Sequence, residues 1–168
     1  MGYVIRHATL LKRCAPCSGA FTPLTGGDTS GNLYCWIIQR RQDMHKVLVV
    51  DDSKLARMVI VSAFRRVRPD WQLTEASNAD DALQAVSSGA VEIALVDFNM
   101  PGTDGLEVVS RIRAIQPNMP VAVVSANIQD EIIARARELK AAFIAKPLTD
   151  EALGAFLSGA ALRLKKSM

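Results

Sequence analysis

No stretch of this 168-residue chain approaches the roughly 18 uninterrupted apolar residues that a membrane-crossing helix requires, although 49% of its residues are apolar. A basic start containing Leu10 and Leu11 is not followed by the apolar stretch of about 7–15 residues that a secretory signal needs. Arg6 stands where a myristoylation site would carry Ser or Thr. The expectation is a soluble, cytoplasmic protein with no membrane partner. Excess charge is also missing from most of the chain. Residues 1–45 carry Arg6, Lys12, Arg13, Arg40 and Arg41 against Asp28 and Asp43, which accounts for the whole formal net charge of +3, while residues 46–168 hold 15 basic and 15 acidic side chains. That balance gives the main body no electrostatic case for nucleic acid.

Cysteine is absent after Cys35. Cys14 and Cys17 form a C-x-x-C pair, a spacing that suits a redox dithiol or half of a zinc site. The other half is lacking unless Cys35 is joined by His7 or His45. The same segment contains Thr22, Pro23, Thr25, Gly26, Gly27, Thr29, Ser30 and Gly31 and shows no sustained period of two or 3.6. Residues 1–45 are therefore expected to be an extension without its own core, disordered or preceding a natural start at Met44. Residues 46–168 are expected to be one domain, long enough to bury a real core.

From Lys46 the pattern is regular. Val47–Val50 is an apolar run ended by Asp51 and Asp52, and Ser53 offers an N-cap to a helix with Leu55, Met58, Val59 and Ala63 on one side. Trp71–Glu75 alternates apolar and polar, as expected of a strand with one exposed face or an edge position, and Asn78 with Asp81 opens a second helix. Residues 93–96 are a third apolar run ending in Asp97, followed by a loop-forming stretch, Met100-Pro101-Gly102-Thr103-Asp104-Gly105. Residues 121–124 run into Ser125, and Phe143-Ile144-Ala145 run into Lys146 and Pro147, with amphipathic helices between and after. Five such βα units imply an α/β fold, a parallel sheet covered on both faces.

Ligands of such sheets bind beyond the carboxyl ends of the strands. Those ends carry Asp51, Asp52, Asp97, Ser125 and Lys146. Three carboxylates at one rim repel each other and raise their own pKa values unless cations hold them ionised. Oxygen-only ligands suit Mg²⁺ or Mn²⁺ better than zinc. A carboxylate so held can attack phosphorus, with a metal and a lysine stabilising charge on the transferring oxygens. The residues point to an aspartyl phosphate.

These separated motifs, Asp51-Asp52, Asp97 with Met100-Pro101-Gly102 and Asp104-Gly105, Ser125-Ala126, and Lys146-Pro147, resemble the CheY-like receiver domain of two-component response regulators over residues 46 to about 164. The resemblance implies a doubly wound, flavodoxin-like (βα)5 sheet in the order 2-1-3-4-5. It implies that Asp97 accepts a phosphoryl group from a histidine kinase or phosphotransfer protein in a phosphorelay. Asp52, Asp97 and the backbone carbonyl of Asn99 would ligate the metal, and Asp51 would place a metal-bound water. Lys146 would contact the phosphoryl group, and Ser125 and Phe143 would form the switch. Output would pass to a downstream protein through the fourth helix, fifth strand and fifth helix. Only 22 residues follow Lys146, so a stand-alone receiver that is not itself an enzyme is expected. Two alternatives stand beside it. A haloacid-dehalogenase-like phosphohydrolase needs a second acid two residues after the nucleophile, where Asn99 stands; a degenerate receiver would have lost the acceptor, acid pair or lysine, all of which are present.

Overall fold

The computed structural model describes residues 44–167. Five strands alternate with five helices: β1 (Lys46–Val50), α1 (Lys54–Val67), β2 (Gln72–Ala76), α2 (Ala79–Ser87), β3 (Ile93–Asp97), α3 (Gly105–Ile115), β4 (Val121–Ser125), α4 (Asp130–Glu138), β5 (Ala142–Ala145) and α5 (Asp150–Ser167). The strands make one sheet in the order 2-1-3-4-5, and all neighbours run parallel. The expected doubly wound (βα)5 sheet is what the chain forms.

Alternation along the central strands divides two cores. Leu48, Val50, Ala94, Val96 and Val123 turn to one face, against Val86 of α2, Ile112 of α3 and Ile132 of α4. Val47, Val49, Ile93, Leu95 and Val124 turn to the other, against Phe64 of α1 and Leu153 and Leu157 of α5. Both faces being covered, β3 and β4 are buried along their whole length, as near-continuous apolar runs require. β2 lies at an edge and leaves Gln72, Thr74 and Glu75 exposed.

Side-chain caps start the helices where short polar residues stand. Ser53 accepts from the Ala56 amide, and Asn78 accepts from Asp81 N–H at 2.8 Å while donating to its carboxylate. Asp104 accepts from Leu106 N–H at 2.9 Å, and Thr149 from Ala152 N–H at 3.2 Å. Each satisfies one of the amides that a first turn leaves without a partner.

The structure departs from the expected pattern in three places. α1 buries Ile60, Ala63 and Phe64, whereas Leu55, Met58 and Val59 are 73%, 58% and 55% exposed. Both sets fit a helical period, and packing on α5 selects between them. The stretch after Asp97 forms a small hairpin, Asn99–Met100 against Thr103–Asp104, turned by Pro101 and by Gly102 at φ +78°, a conformation that favours glycine. β2 begins at Gln72, and Trp71 before it is buried. His45, grouped by sequence with the N-terminal segment, lies edge-on to Trp71 with centroids 4.7 Å apart. Its Nδ1 is 3.3 Å from the Glu92 carboxylate. The other residues of the suggested zinc group, His7, Cys14, Cys17 and Cys35, lie outside the described residues.

Candidate functional site

Strand register assembles the polar edge. Val50 pairs with Val96, so Asp51, one residue beyond, is carried alongside Asp97 at the end of β3. Asp97 pairs with Val124, which places Ser125 one step further on, and Ser125 pairs with Ala145, which places Lys146 one step beyond that. The Lys146 amide donates to the Ser125 carbonyl at 2.8 Å and extends this ladder past the strand. Side chains alternate across a sheet. Asp97 therefore continues the Ile93, Leu95 face, whereas Ser125 and Phe143 continue the Val123 face.

Asp51 is fully buried, Asp97 is 4% exposed, and Asp52 is exposed. Each of the three has a carboxylate oxygen within 4.8 Å of the others, a grouping that could hold a metal ion. The Lys146 ammonium lies 2.7 Å from Asp97 Oδ1 and 3.4 Å from Asp51 Oδ2. Its approach to Asp97 is short but off the hydrogen-bonding directions, so Asp97 Oδ1 has no well-directed donor. Charge holds that pair. Asp51 Oδ1 accepts the Ser53 amide at 2.8 Å.

Burial pushes the Asp97 carboxyl above the ordinary carboxylate range; Lys146 draws it down, and Asp51 and Asp52 push it up again, leaving it raised. Burial alone would lower the Lys146 ammonium, but Asp97 and Asp51 outweigh it and raise it. Three carboxylates face one ammonium at this edge, so a bound cation would offset negative charge that Lys146 alone does not. All-oxygen donors of this kind suit a hard divalent cation.

Asn99 opens the hairpin two residues beyond Asp97 and is exposed. Ser125 is fully buried, and its hydroxyl oxygen accepts the Asn127 amide at 3.0 Å, leaving its own hydrogen to donate. Phe143 is half-buried against the core on the same face. Thus Asp51, Asp52, Asp97 and Lys146 converge directly, while Ser125 and Phe143 stand behind them.

Sequence reasoning missed two residues. Arg57 donates to the Asp51 carbonyl at 2.6 Å and to Glu75 at 3.3 Å, fastening the turn that carries both acids. Gly105 donates its amide to the Phe98 carbonyl at 3.0 Å. A β-carbon there would run into the Asp97 carbonyl oxygen and lie 2.7 Å from Phe98 Cα, so α3 can abut the site only with glycine at its start. The Asp104-Gly105 pair signalled this position; Arg57, one arginine among many on a helix, did not.

The sequence profile of the response regulator receiver domain matches residues 47–158. This chain belongs to that family. The receiver is similar to chemotaxis protein CheY of Pseudomonas aeruginosa, at 32% identity over 114 residues, covering 64% of this chain and 89% of that protein. It is also similar to sensor histidine kinase RcsC of Salmonella typhi, at 34% over 122 residues, 72% of this chain but 13% of the kinase. The chain thus spans a small part of that longer relative. A receiver domain structure from Clostridium thermocellum superposes with a TM-score of 0.69 at 22% identity, over 74% of this chain and all of that one, which shows the shared fold.

Two outcomes follow from this geometry. Gly105→Ala should destabilise the receiver by roughly 1–3 kcal/mol, the usual cost of forcing an atom into occupied space, as read by urea unfolding; an unchanged midpoint would contradict the close approach. The second concerns pH. Because the Asp97 carboxyl is raised in the folded protein, its stabilising contribution is full below the unfolded carboxylate pKa of about 4 and is lost as pH rises through the raised value. In chelator, the wild-type melting temperature should therefore fall as pH rises across that window, and Asp97→Asn should flatten the fall. Identical slopes would refute the assignment of this pH dependence to Asp97.

Proposed function

We propose that Asp97 is the phosphoacceptor and that this receiver takes its phosphoryl group from a phosphohistidine on a histidine kinase or phosphotransfer protein. The observation that carries this reading is a buried strand-end carboxylate 2.7 Å from an ammonium and grouped with two further carboxylates. An Asp97 carboxylate oxygen attacks phosphorus, an O–P bond forms as the N–P bond breaks, and the imidazole leaves with the bonding pair. Lys146 stays against the transferring oxygens, where its charge counts most in a partly desolvated site.

Asp51, Asp52 and Asp97, with the carbonyl of Asn99, would hold Mg²⁺ or Mn²⁺. Such a cation, when bound, supplies the positive charge that Lys146 alone does not provide. Leu55, Met58 and Val59, exposed on the helix that starts beside Asp52, form an apolar surface suited to a protein donor.

The switch works through Ser125 and Phe143. New oxygens at Asp97 accept the Ser125 O–H, and movement of that hydroxyl opens space on the shared face for Phe143. The difference is felt at the surface of α4, β5 and α5, where a downstream protein binds. A phosphoryl group can shift this equilibrium only through contacts that differ between the two states, and the Ser125 hydrogen bond is that contact.

Intact mass after incubation with acetyl phosphate and Mg²⁺ tests the reading. The wild type and Ser125→Ala should gain one phosphoryl group and Asp97→Asn none, while Met58→Asp should label normally from acetyl phosphate but slowly from a phosphohistidine protein. Full labelling of Asp97→Asn would overturn the assignment.

A further inference from the structure

Helix α1 inverts the usual order of burial in its first turns. Leu55, Met58 and Val59 are exposed, whereas the Arg57 side chain among them is only 15% exposed. Arginine is rarely buried to this degree unless it is paired. Its head group reaches back over the start of the helix. One terminal nitrogen donates to the Asp51 carbonyl at 2.6 Å, and Nε donates to Glu75 Oε2 on the edge strand β2 at 3.3 Å.

The carbonyl that Arg57 takes belongs to the peptide unit joining the two acids, Asp51 and Asp52. The other polar groups of Asp51 are already engaged. Its amide donates to the Ala76 carbonyl at 3.2 Å, Oδ1 accepts the Ser53 amide at 2.8 Å, and Oδ2 lies 3.4 Å from the Lys146 ammonium. Because Asp51 is fully buried, its carbonyl needs a donor from the chain. A short neutral donor would meet that need. Arginine brings more, a planar group with donors fixed in direction, and its tie to Glu75 holds that plane at a second point.

Asp52 depends on the orientation so held. It is exposed, and Ser53, not Asp52, caps α1. The direction of its carboxylate therefore follows from the peptide unit before it, yet that carboxylate is one of three brought within 4.8 Å of one another. Charge argues against a simpler role for Arg57. A guanidinium placed to neutralise acids would pair with their carboxylates and compete with a cation for them. Arg57 instead takes a backbone oxygen, and its ion pair is with Glu75, outside the acid group.

We propose that Arg57, oriented by Glu75, is a positioning residue for the cation site, which directs Asp52 towards Asp51 and Asp97 by holding the peptide unit between the acid pair. It acts through Asp52 and touches neither the cation nor the phosphoryl group. The proposal rests on the reading of the three carboxylates as a divalent-cation site.

The sign of one substitution separates positioning from charge. Arg57→Met removes a positive charge near the acids, which by charge alone would tighten cation binding; loss of positioning weakens it. Calorimetric titration of the full chain with Mg²⁺ should give Arg57→Met an affinity at least about tenfold below wild type, the scale on which lost outer partners weaken metal sites. Arg57→Lys keeps the charge but not the rigid fork. It should lose affinity in the same direction, and it carries the test should Arg57→Met fail to fold. Glu75→Gln keeps an oxygen acceptor for Nε and should stay within about fivefold of wild type, the range of an exposed ion pair.

A double-mutant cycle supplies a readout that general loosening of the fold would not move. If Arg57 acts through Asp52, removing it in an Asp52→Ala background should cost less than about twofold further. Unchanged or tighter Mg²⁺ binding in Arg57→Met, wild-type affinity in Arg57→Lys, a loss in Glu75→Gln as large as that in Arg57→Met, or a full tenfold loss repeated in the Asp52→Ala background would each overturn the proposal. The same titrations keep the two readings apart. A wild type that binds no Mg²⁺, or an Asp52→Ala variant that binds it equally well, removes the cation site and the positioning role together; a weakened Asp52→Ala beside an unaffected Arg57→Met removes the positioning role alone.

Discussion

A carboxylate buried at the end of β3 is the constraint on which the rest of this edge depends. Asp97 is nearly inaccessible, and a charge so placed is tolerated only with opposite charge close by. The sheet supplies it by register: the end of β5 delivers Lys146 to within 2.7 Å, through a ladder that continues beyond Ser125. Two more acids brought by the end of β1 tip the balance back towards negative. The same crowding that would be a liability in a purely structural site is what a divalent cation and a phosphoryl group can use.

Most of the architecture was legible because local signals agreed. The buried strands are continuous apolar runs, short polar residues cap the helices, and the sheet's ligand edge falls where each run ends in a polar residue. What stayed hidden depends on contacts between distant segments. Leu55, Met58 and Val59 fit a helical stripe as well as Ile60, Ala63 and Phe64 do, and only packing on α5 decides which set is buried. Arg57 and Arg113 act through backbone carbonyls of other segments, which no spacing reveals. Asp51, Asp52, Asp97 and Lys146 were recognisable because each stands at a strand's end or within two residues of it. Asn99 and Phe143 were placed by resemblance alone.

Charge balance was the least informative summary. Equal numbers of acids and bases conceal an acidic edge at Asp97 and, at the opposite end, a cleft lined by Arg137, Lys140 and Arg163. Lys146, Phe143 and Phe156 line a common cleft, and Phe156 also lines the cleft that carries those cations.

The three carboxylates are proposed to act together as a divalent-cation site that prepares Asp97 for phosphoryl transfer. Calorimetric titration of the full chain with Mg²⁺ tests it most directly, comparing the wild type with Asp52→Ala, a change at an exposed side chain that leaves the buried Asp97–Lys146 pair in place. The account predicts saturable binding to one site in the wild type and at least about a tenfold weaker affinity in the variant, the scale on which lost ligands weaken metal sites. Equal affinity in the two proteins would contradict it.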